Sequence, residues 1–255
     1  MSFDVAADAY QRFMGRYSRP LAEQFVDLVA VRRGDRVLDV GCGPGVLTAP
    51  LVERCGAESV AAVDPSTPFI AAVRDRFPGV DVHEATAEAL PFDDHVFDAA
   101  LAQLVVHFMS DPVAGLREMR RVTKPGGVVS ASVWDFAGGT APLSVFWQAA
   151  QEIDPAAPGE ADRAGTREGA LVEIADAAGL RDVRSTSLTV RLPFTSYDEW
   201  WAPYLDGVGP VGSYVASLDP EHRRRVEQRC RELLPEPPFE HAAIAWVVVA
   251  EAARA

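Results

Sequence analysis

The sequence is poor in cysteine. Among 255 residues only Cys42, Cys55 and Cys230 are cysteines, and none belongs to a Cys-x-x-Cys pair or lies at a zinc-ligand spacing from a histidine. An odd number of scattered thiols argues against a disulfide framework and against a structural zinc site. We therefore expect neither disulfides nor a metal ion.

Long apolar runs and targeting signals are also missing. The most apolar stretch, Ala242 to Ala250, is far too short to cross a bilayer. The N-terminal residues lack the basic and apolar regions of a signal peptide, and no repeat or low-complexity segment is present. These absences favour a cytoplasmic protein without a membrane partner.

Basic side chains are outnumbered: 24 Lys and Arg face 37 Asp and Glu, a formal net charge of −13. Nucleic acids and anionic membranes both attract basic surfaces, so we expect neither as a partner. Hydrophobic residues make up 48% of the chain, which suits a folded protein. The length fits one α/β domain with an inserted cap.

Short buried-strand patterns alternate with helical patterns along the first half of the chain. The predicted strands are Arg36 to Val40, Ser59 to Asp64, Val80 to Ala85, Phe97 to Gln103 and Val128 to Trp134, followed by Asp182 to Val190 and Ala242 to Ala250. Parallel strands need crossover connections, so this alternation predicts a doubly wound, Rossmann-like and mostly parallel seven-stranded sheet. The first 30 residues look helical, and Lys124 to Gly127 read as a turn. We assign residues 36–255 to this domain, with cap segments at about 136–165 and 196–238; two helices are expected in the second segment.

A glycine-rich segment, Gly41-Cys42-Gly43-Pro44-Gly45, follows the first predicted strand. Glycines let backbone approach a ligand closely, although a glycine turn also serves as a plain link between strand and helix. Asp64 closes the second strand, where a carboxylate can accept hydrogen bonds from ribose hydroxyls. The alternative for Asp64 is a turn or helix-capping aspartate.

The glycine spacing bears on which nucleoside binds. A dinucleotide fingerprint requires Gly-x-Gly-x-x-Gly, but Val46 occupies the position of its third glycine. An NAD(P)-type oxidoreductase is therefore an alternative that this loop disfavours.

Four segments together resemble the class I S-adenosylmethionine-dependent methyltransferases, in particular the small-molecule group that includes ubiquinone/menaquinone-biosynthesis-like enzymes. They are VLDVGCGPG, AAVDPS, EATAEALPFDDHVFDAALAQLVVHF and EMRRVTKPGG, and they span about residues 36 to 130. The resemblance implies S-adenosylmethionine as cofactor, S-adenosylhomocysteine as product, and residues 1–35 as a helical lid over the cofactor.

The resemblance also implies roles at matching positions. Gly41 and Gly43 would line the methionine part, and Asp64 with Pro65 the ribose. Thr86, Ala87 and Glu88 would border the adenine, although Thr86 stands where relatives often have a carboxylate. The Gln103 carbonyl would meet the cofactor's amino group, and Tyr10 and Arg16 are candidate contacts to its carboxylate.

Methyl transfer by in-line displacement depends mainly on proximity and orientation. A general base helps when the acceptor is a hydroxyl or an acidic carbon, and His107, just past the fourth strand, is the candidate; its alternative is a structural histidine. Aromatic residues in the cap segments and at the fifth strand's end predict a partly hydrophobic small-molecule acceptor, or else form the cap's own core. The substrate candidates are Trp134, Trp200, Trp201 and Tyr204. A cofactor-binding protein without catalysis also fits, and the sequence is compatible with a monomer or a homodimer.

Overall fold

The computed structural model describes residues 12–252. Within this range seven strands form one sheet: β1 (Val37–Val40), β2 (Val60–Asp64), β3 (Asp81–Glu84), β4 (Phe97–Gln103), β5 (Thr123–Trp134), β6 (Arg181–Phe194) and β7 (Phe239–Glu251). The strand order is β3-β2-β1-β4-β5-β7-β6. Strands β1 to β5 run parallel, whereas β7 lies antiparallel between β5 and β6. The predicted doubly wound, mostly parallel sheet is confirmed.

Helices cover the sheet. They are α1 (Gly15–Val29), α2 (Thr48–Cys55), α3 (Thr67–Arg76), α4 (Pro112–Val122), α5 (Ser144–Ile153), α6 (Ala170–Ala177), α7 (Tyr197–Trp201), α8 (Gly209–Ser217) and α9 (Pro220–Leu233). Every residue of β1 and β2 is buried, as expected for parallel strands with helices on both faces. The chain builds outward from β1 to β3 and then returns to the other side of β1 with β4. This switch point, between β1 and β4, is where doubly wound sheets bind ligands.

Helix α1 packs against β6 through one apolar face. Leu21, Phe25 and Val29 follow helical spacing and are buried. The side chain of Gln24 donates a hydrogen bond to the Thr189 carbonyl of β6 at 3.2 Å. The first turns of α1 lie beside the carboxyl end of β4, because the side chain of Gln103 in β4 donates a hydrogen bond to the Ser18 carbonyl of α1.

The segments 136–165 and 196–238, called the cap from here on, share a hydrophobic core. Helix α5 of the first segment packs against α9 of the second. Phe146 stacks on Tyr204 with ring centroids 5.1 Å apart, and Trp201 stacks on the same tyrosine at 5.5 Å. These contacts bury most of the aromatic residues that the sequence concentrates in the two segments.

Two details differ from the sequence prediction. Lys124 to Gly127 belong to β5 and do not form the predicted turn. They form a β-bulge: Thr123 pairs with Phe97, and the next pair joins Val128 to Ala99, so that these four residues have no strand-pairing partner in β4. Gly126 and Gly127 exchange backbone hydrogen bonds with Ala252, which holds the bulge beside β7. The second cap segment contains three α-helices where two were predicted. None of the helices between residues 12 and 252 combines the length and apolar character needed to cross a bilayer.

Candidate functional site

A cavity of about 450 Å³ opens at the carboxyl ends of β1, β2, β4 and β5. Its walls come from the glycine loop after β1, the end of β2, the segment after β4, the first turn of α1, and the cap. Ligand sites of small-molecule enzymes have this size and are lined mainly by apolar side chains with a few polar groups. The cavity therefore joins the sheet's switch point to the cap.

The glycine loop needs its glycines for different reasons. Gly41 has φ +72, and a Cβ there would lie 2.3 Å from the side chain of Val105. Gly43 also has positive φ, +52, but a Cβ would meet no atom within 4 Å. Since Gly43 lines the cavity, a side chain at this position would project into open space beside it. Gly41 is thus required by packing, whereas Gly43 keeps a cradle open for a ligand.

Asp64 joins the two loops that follow β1 and β2. Its Oδ2 accepts a hydrogen bond from the Gly43 N–H at 2.9 Å, and its Oδ1 accepts one from the Ser66 N–H at 2.8 Å. Burial raises the pKa of Asp64, and these two N–H groups partly offset the increase. The carboxylate lines the cavity with Pro65. Asp64 therefore stabilises the turn after β2, and it also lies at the position expected of a ribose-binding acid.

Asp39, in the middle of β1, is a cavity residue that the sequence analysis missed. Its Oδ2 accepts a hydrogen bond from the Thr48 hydroxyl at 2.7 Å. Burial raises the pKa of Asp39 to about 7, and the nearby charge of Asp64 adds to the increase. The sequence does contain a sign of this residue's importance, because burying an acidic residue inside the apolar run Val37–Val40 is costly unless the acid has a partner or a function.

Gln103 ties the end of β4 to α1. Its Nε2 donates a hydrogen bond to the Ser18 carbonyl at 3.0 Å. Its Oε1 and the Ser18 hydroxyl are buried without a hydrogen-bond partner in residues 12–252. Both residues line the cavity. Buried polar atoms without a partner are uncommon, so this corner of the cavity suits a ligand that carries hydrogen-bonding groups.

Several predicted cofactor residues lie elsewhere. Thr86, Ala87 and Glu88 do not line the cavity; Glu88 instead accepts hydrogen bonds from the N–H groups of Ser110 and Asp111.

Arg16 also lies off the cavity wall. It forms a 2.9 Å ion pair with Glu199 and stacks over Phe194 at 4.6 Å. Tyr10 lies outside the described residues.

His107 lies in the 3₁₀ helix Val106–Phe108 and lines the cavity. Burial, assisted by the positive charge of Arg163, lowers the pKa of His107 to about 3, so the imidazole is neutral at neutral pH. Its Nδ1 is buried and has no partner among the residues described. The ring packs on Phe108, with centroids 4.0 Å apart. A neutral imidazole with an open nitrogen can exchange hydrogen bonds with a ligand, but so low a pKa is far from that of an efficient base at neutral pH.

The predicted substrate aromatics divide into two groups. Trp134, at the end of β5, lines the cavity. Trp200, Trp201 and Tyr204 are 3%, 7% and 2% exposed, do not line it, and pack within the cap. The cap instead contributes Phe136, Leu143, Glu160, Val208 and Val211 to the cavity wall, which also includes Phe108. Phe136 belongs to the aromatic residues that the sequence singles out in the cap segments; the other cap residues could not be selected, because their positions depend on how the two cap segments meet.

Part of the chain is similar to known methyltransferases. A family model described as a methyltransferase domain matches residues 38–131. A ubiquinone/menaquinone biosynthesis C-methyltransferase (UbiE) of Stenotrophomonas maltophilia is 41% identical over 124 residues, covering 46% of this chain and 48% of that protein. A malonyl-[acyl-carrier protein] O-methyltransferase of Salmonella typhimurium is 36% identical over 149 residues, covering 58% and 57%. The chain spans about half the length of the curated relatives it matches.

A solved structure extends the likeness to most of the chain. The YcgJ protein of Bacillus subtilis aligns with a TM-score of 0.59 at 18% identity, covering 94% of this chain and 99% of that one. At this identity the likeness concerns the fold alone.

Fold and site together define a doubly wound α/β protein with a cavity at its switch point. Residues 38–131 match the methyltransferase-domain family, and the relatives that share this region are named as methyltransferases, a class that uses S-adenosylmethionine as cofactor.

The residues present fit the cofactor that this family implies. The open cradle at Gly43 admits a ligand against the backbone, Asp64 supplies a carboxylate at the end of β2, and Gln103 supplies a buried acceptor without a partner. No cluster of three or more His, Cys, Asp or Glu side chains suited to a metal ion occurs in the part of the chain that the structure describes.

Proposed function

We propose that the protein transfers a methyl group from S-adenosylmethionine to a small, partly hydrophobic acceptor by direct in-line displacement. The observation that carries the proposal is that Gly43, Asp64 and apolar residues of the cap line the same cavity. The glycine loop and cap residues line one cavity, which suits transfer between two bound molecules. Relatives named as C- and O-methyltransferases support the same class of reaction.

The chain's own residues would bind and orient the reactants. Bound S-adenosylmethionine supplies an electrophilic methyl group on a sulfonium. In our proposal Asp64 accepts hydrogen bonds from the ribose hydroxyls, and the cradle at Gly43 holds the methionine part against backbone. Gln103 and Ser18 supply hydrogen-bonding groups from β4 and α1. The cap and α1 exclude water, which strengthens each of these contacts.

His107 contributes a hydrogen bond to the acceptor in this proposal. Its low pKa makes it a weak proton acceptor. Its position beside Phe108, between the end of β4 and the cap, supports this role. We therefore propose that His107 orients the acceptor's reactive atom, and that orientation contributes more than proton transfer.

Titration calorimetry with S-adenosylmethionine, S-adenosylhomocysteine and NADH tests the cofactor. We expect micromolar binding of the first two and no binding of NADH, because the glycine loop lacks the third glycine of a dinucleotide site. Binding of NADH alone would overturn the proposal in favour of redox chemistry. Acceptor-dependent release of S-adenosylhomocysteine then separates an enzyme from a protein that only binds the cofactor.

A further inference from the structure

A buried carboxylate belongs to the cap side of the cavity. Glu160 lies between α5 and α6, is 3% exposed, and lines the cavity. Its Oε2 accepts a hydrogen bond from the indole N–H of Trp147 at 3.1 Å. The nearest cation to its Oε1 is the Nε of Arg163, at 3.8 Å, which is too long for a direct hydrogen bond. An ionised carboxylate has room for about four hydrogen bonds, so Glu160 can accept more.

The loop that carries Glu160 is fixed by its own hydrogen bonds. The Arg163 N–H donates to the Glu160 carbonyl at 3.2 Å. The buried hydroxyl of Thr166 donates to the carbonyls of Ala161 and Arg163 at 2.6 and 2.8 Å. The loop thus holds the carboxylate at the cavity wall.

The hydrogen bond from Trp147 does not by itself explain why residue 160 is an acid. A neutral oxygen would also accept the indole hydrogen bond, whereas burying a carboxylate carries a large desolvation cost. Burial in fact raises the pKa of Glu160, despite the Trp147 hydrogen bond and the charge of Arg163. Costly buried acids that face a cavity are common at ligand sites.

The surroundings restrict the ligand that this carboxylate would recognise. The cavity is mostly apolar, and the aromatic rings of Phe108, Trp134 and Phe136 belong to its wall. The guanidinium of Arg163 stacks over Phe108 at 5.3 Å and lies close to Glu160 and His107. Arg163 thus already supplies a positive charge beside this carboxylate. A flat, neutral molecule with a hydrogen-bond donor fits best.

We propose that Glu160 determines acceptor specificity by accepting a hydrogen bond from a hydroxyl group of a small aromatic acceptor. This inference rests on the proposed methyl transfer, whose acceptor it defines. His107, on the same wall, would contact the same molecule.

Three matched aromatic probes test the proposal: 2-naphthol, its methyl ether 2-methoxynaphthalene, and the cation 2-naphthylmethylammonium. Affinities are measured by saturation-transfer NMR on the protein with S-adenosylhomocysteine. We expect 2-naphthol to bind about tenfold more tightly than the ether, since only the phenol donates to Glu160. A preference for the ammonium, equal affinities for phenol and ether, or no binding of any probe would overturn the proposal.

Two variants assign the preference to Glu160. Trp147→Phe removes the indole donor and keeps the carboxylate; Trp147→Phe/Glu160→Leu removes both partners, so neither is left unpaired. We expect the single variant to keep the phenol preference and the double variant to lose it. Retained preference in the double variant contradicts the assignment, while the comparison of probes on the unaltered protein needs no variant to fold.

The outcome is separable from that of the proposed function. Failure of S-adenosylmethionine to bind would remove methyl transfer. Normal binding of S-adenosylmethionine without a phenol preference would remove only the role of Glu160.

Discussion

Asp39 and Asp64 sit at neighbouring strands but in different environments. Asp39 is enclosed within β1 and has the hydroxyl of Thr48 as its partner, whereas Asp64 accepts two backbone hydrogen bonds at the end of β2. Burial raises the pKa of the enclosed acid, Asp39, to about 7. Because a carboxylate at the strand end keeps access to the cavity, Asp64 is the residue of this pair that we expect to contact the cofactor directly.

Replacing Asp64 by asparagine removes the carboxylate while keeping one oxygen acceptor. We expect Asp64→Asn to weaken S-adenosylmethionine binding by roughly 1–3 kcal/mol, since ribose hydroxyls lose a charged acceptor. Calorimetry measures the change. Glu84→Gln is the matched control, because Glu84 ends the adjacent β3, accepts from Thr67 at 2.8 Å and does not line the cavity. An unchanged affinity in Asp64→Asn would remove the ribose assignment.

Asp39 gives the folded protein a specific dependence on pH. Its pKa in the folded state is raised from 3.8 to about 7, so the folded state holds this proton more tightly than the unfolded chain. The resulting stability is fully present below the unfolded pKa and is lost as pH rises through about 7. We expect Asp39→Asn to become progressively more stable relative to the unaltered protein between pH 4 and 7. Thermal unfolding across that range measures the difference, and a constant difference contradicts it.

At the scale of the elements, α1 is held in position by contacts with three strands. It contacts β6 through Gln24, β4 through Ser18 and β7 through the hydroxyl of Tyr17, which lies 3.0 Å from His241 Nδ1. Burial lowers the pKa of His241 to about 4, so its ring is neutral and the phenol can donate to it. Since Phe13, Met14 and Ser18 line the cavity, these contacts set the shape of the site.

Loss of the Tyr17 hydroxyl tests this dependence. We expect Tyr17→Phe to lower the free energy of unfolding by about 1–3 kcal/mol, because it leaves the buried His241 nitrogen without a partner. Chemical denaturation measures the change. The comparison variant is Tyr197→Phe, which removes an exposed hydrogen bond to the Pro235 carbonyl and should cost less. Equal effects would show that α1 does not rely on the buried contact.

The elements also show what sequence patterns can and cannot predict. Buried strands such as Val37–Val40 and Val60–Asp64 were predictable, because their apolar runs end at glycine or at Asp-Pro. The bulge at Lys124–Gly127 was not, because its partner Ala252 lies at the far end of the chain. The position of Glu160 was hidden for the same reason, since only packing between the two cap segments brings it to the cavity.

At the scale of the whole molecule, acidic residues dominate the charge. The formal net charge of −13 opposes binding to phosphate backbones, which depends on basic side chains. We expect no binding to duplex DNA at protein concentrations up to about 10 µM in physiological salt, as measured by fluorescence anisotropy. The same titration in low salt is the control. Salt-dependent binding would instead indicate a local basic surface and a different class of acceptor.

The insertion of β7 between β5 and β6 has a consequence for synthesis on the ribosome. The strands that build the pocket, β1 to β5, leave the ribosome before β7, yet the β5 edge pairs only with β7. Until residues 239–251 are translated, the nascent chain carries an open edge on β5, and β6 lacks the strand that joins it to the sheet. An open edge is a template for pairing with other chains. A pause or truncation before Phe239 would therefore favour aggregation of a chain whose cofactor loop and Asp64 have already been made.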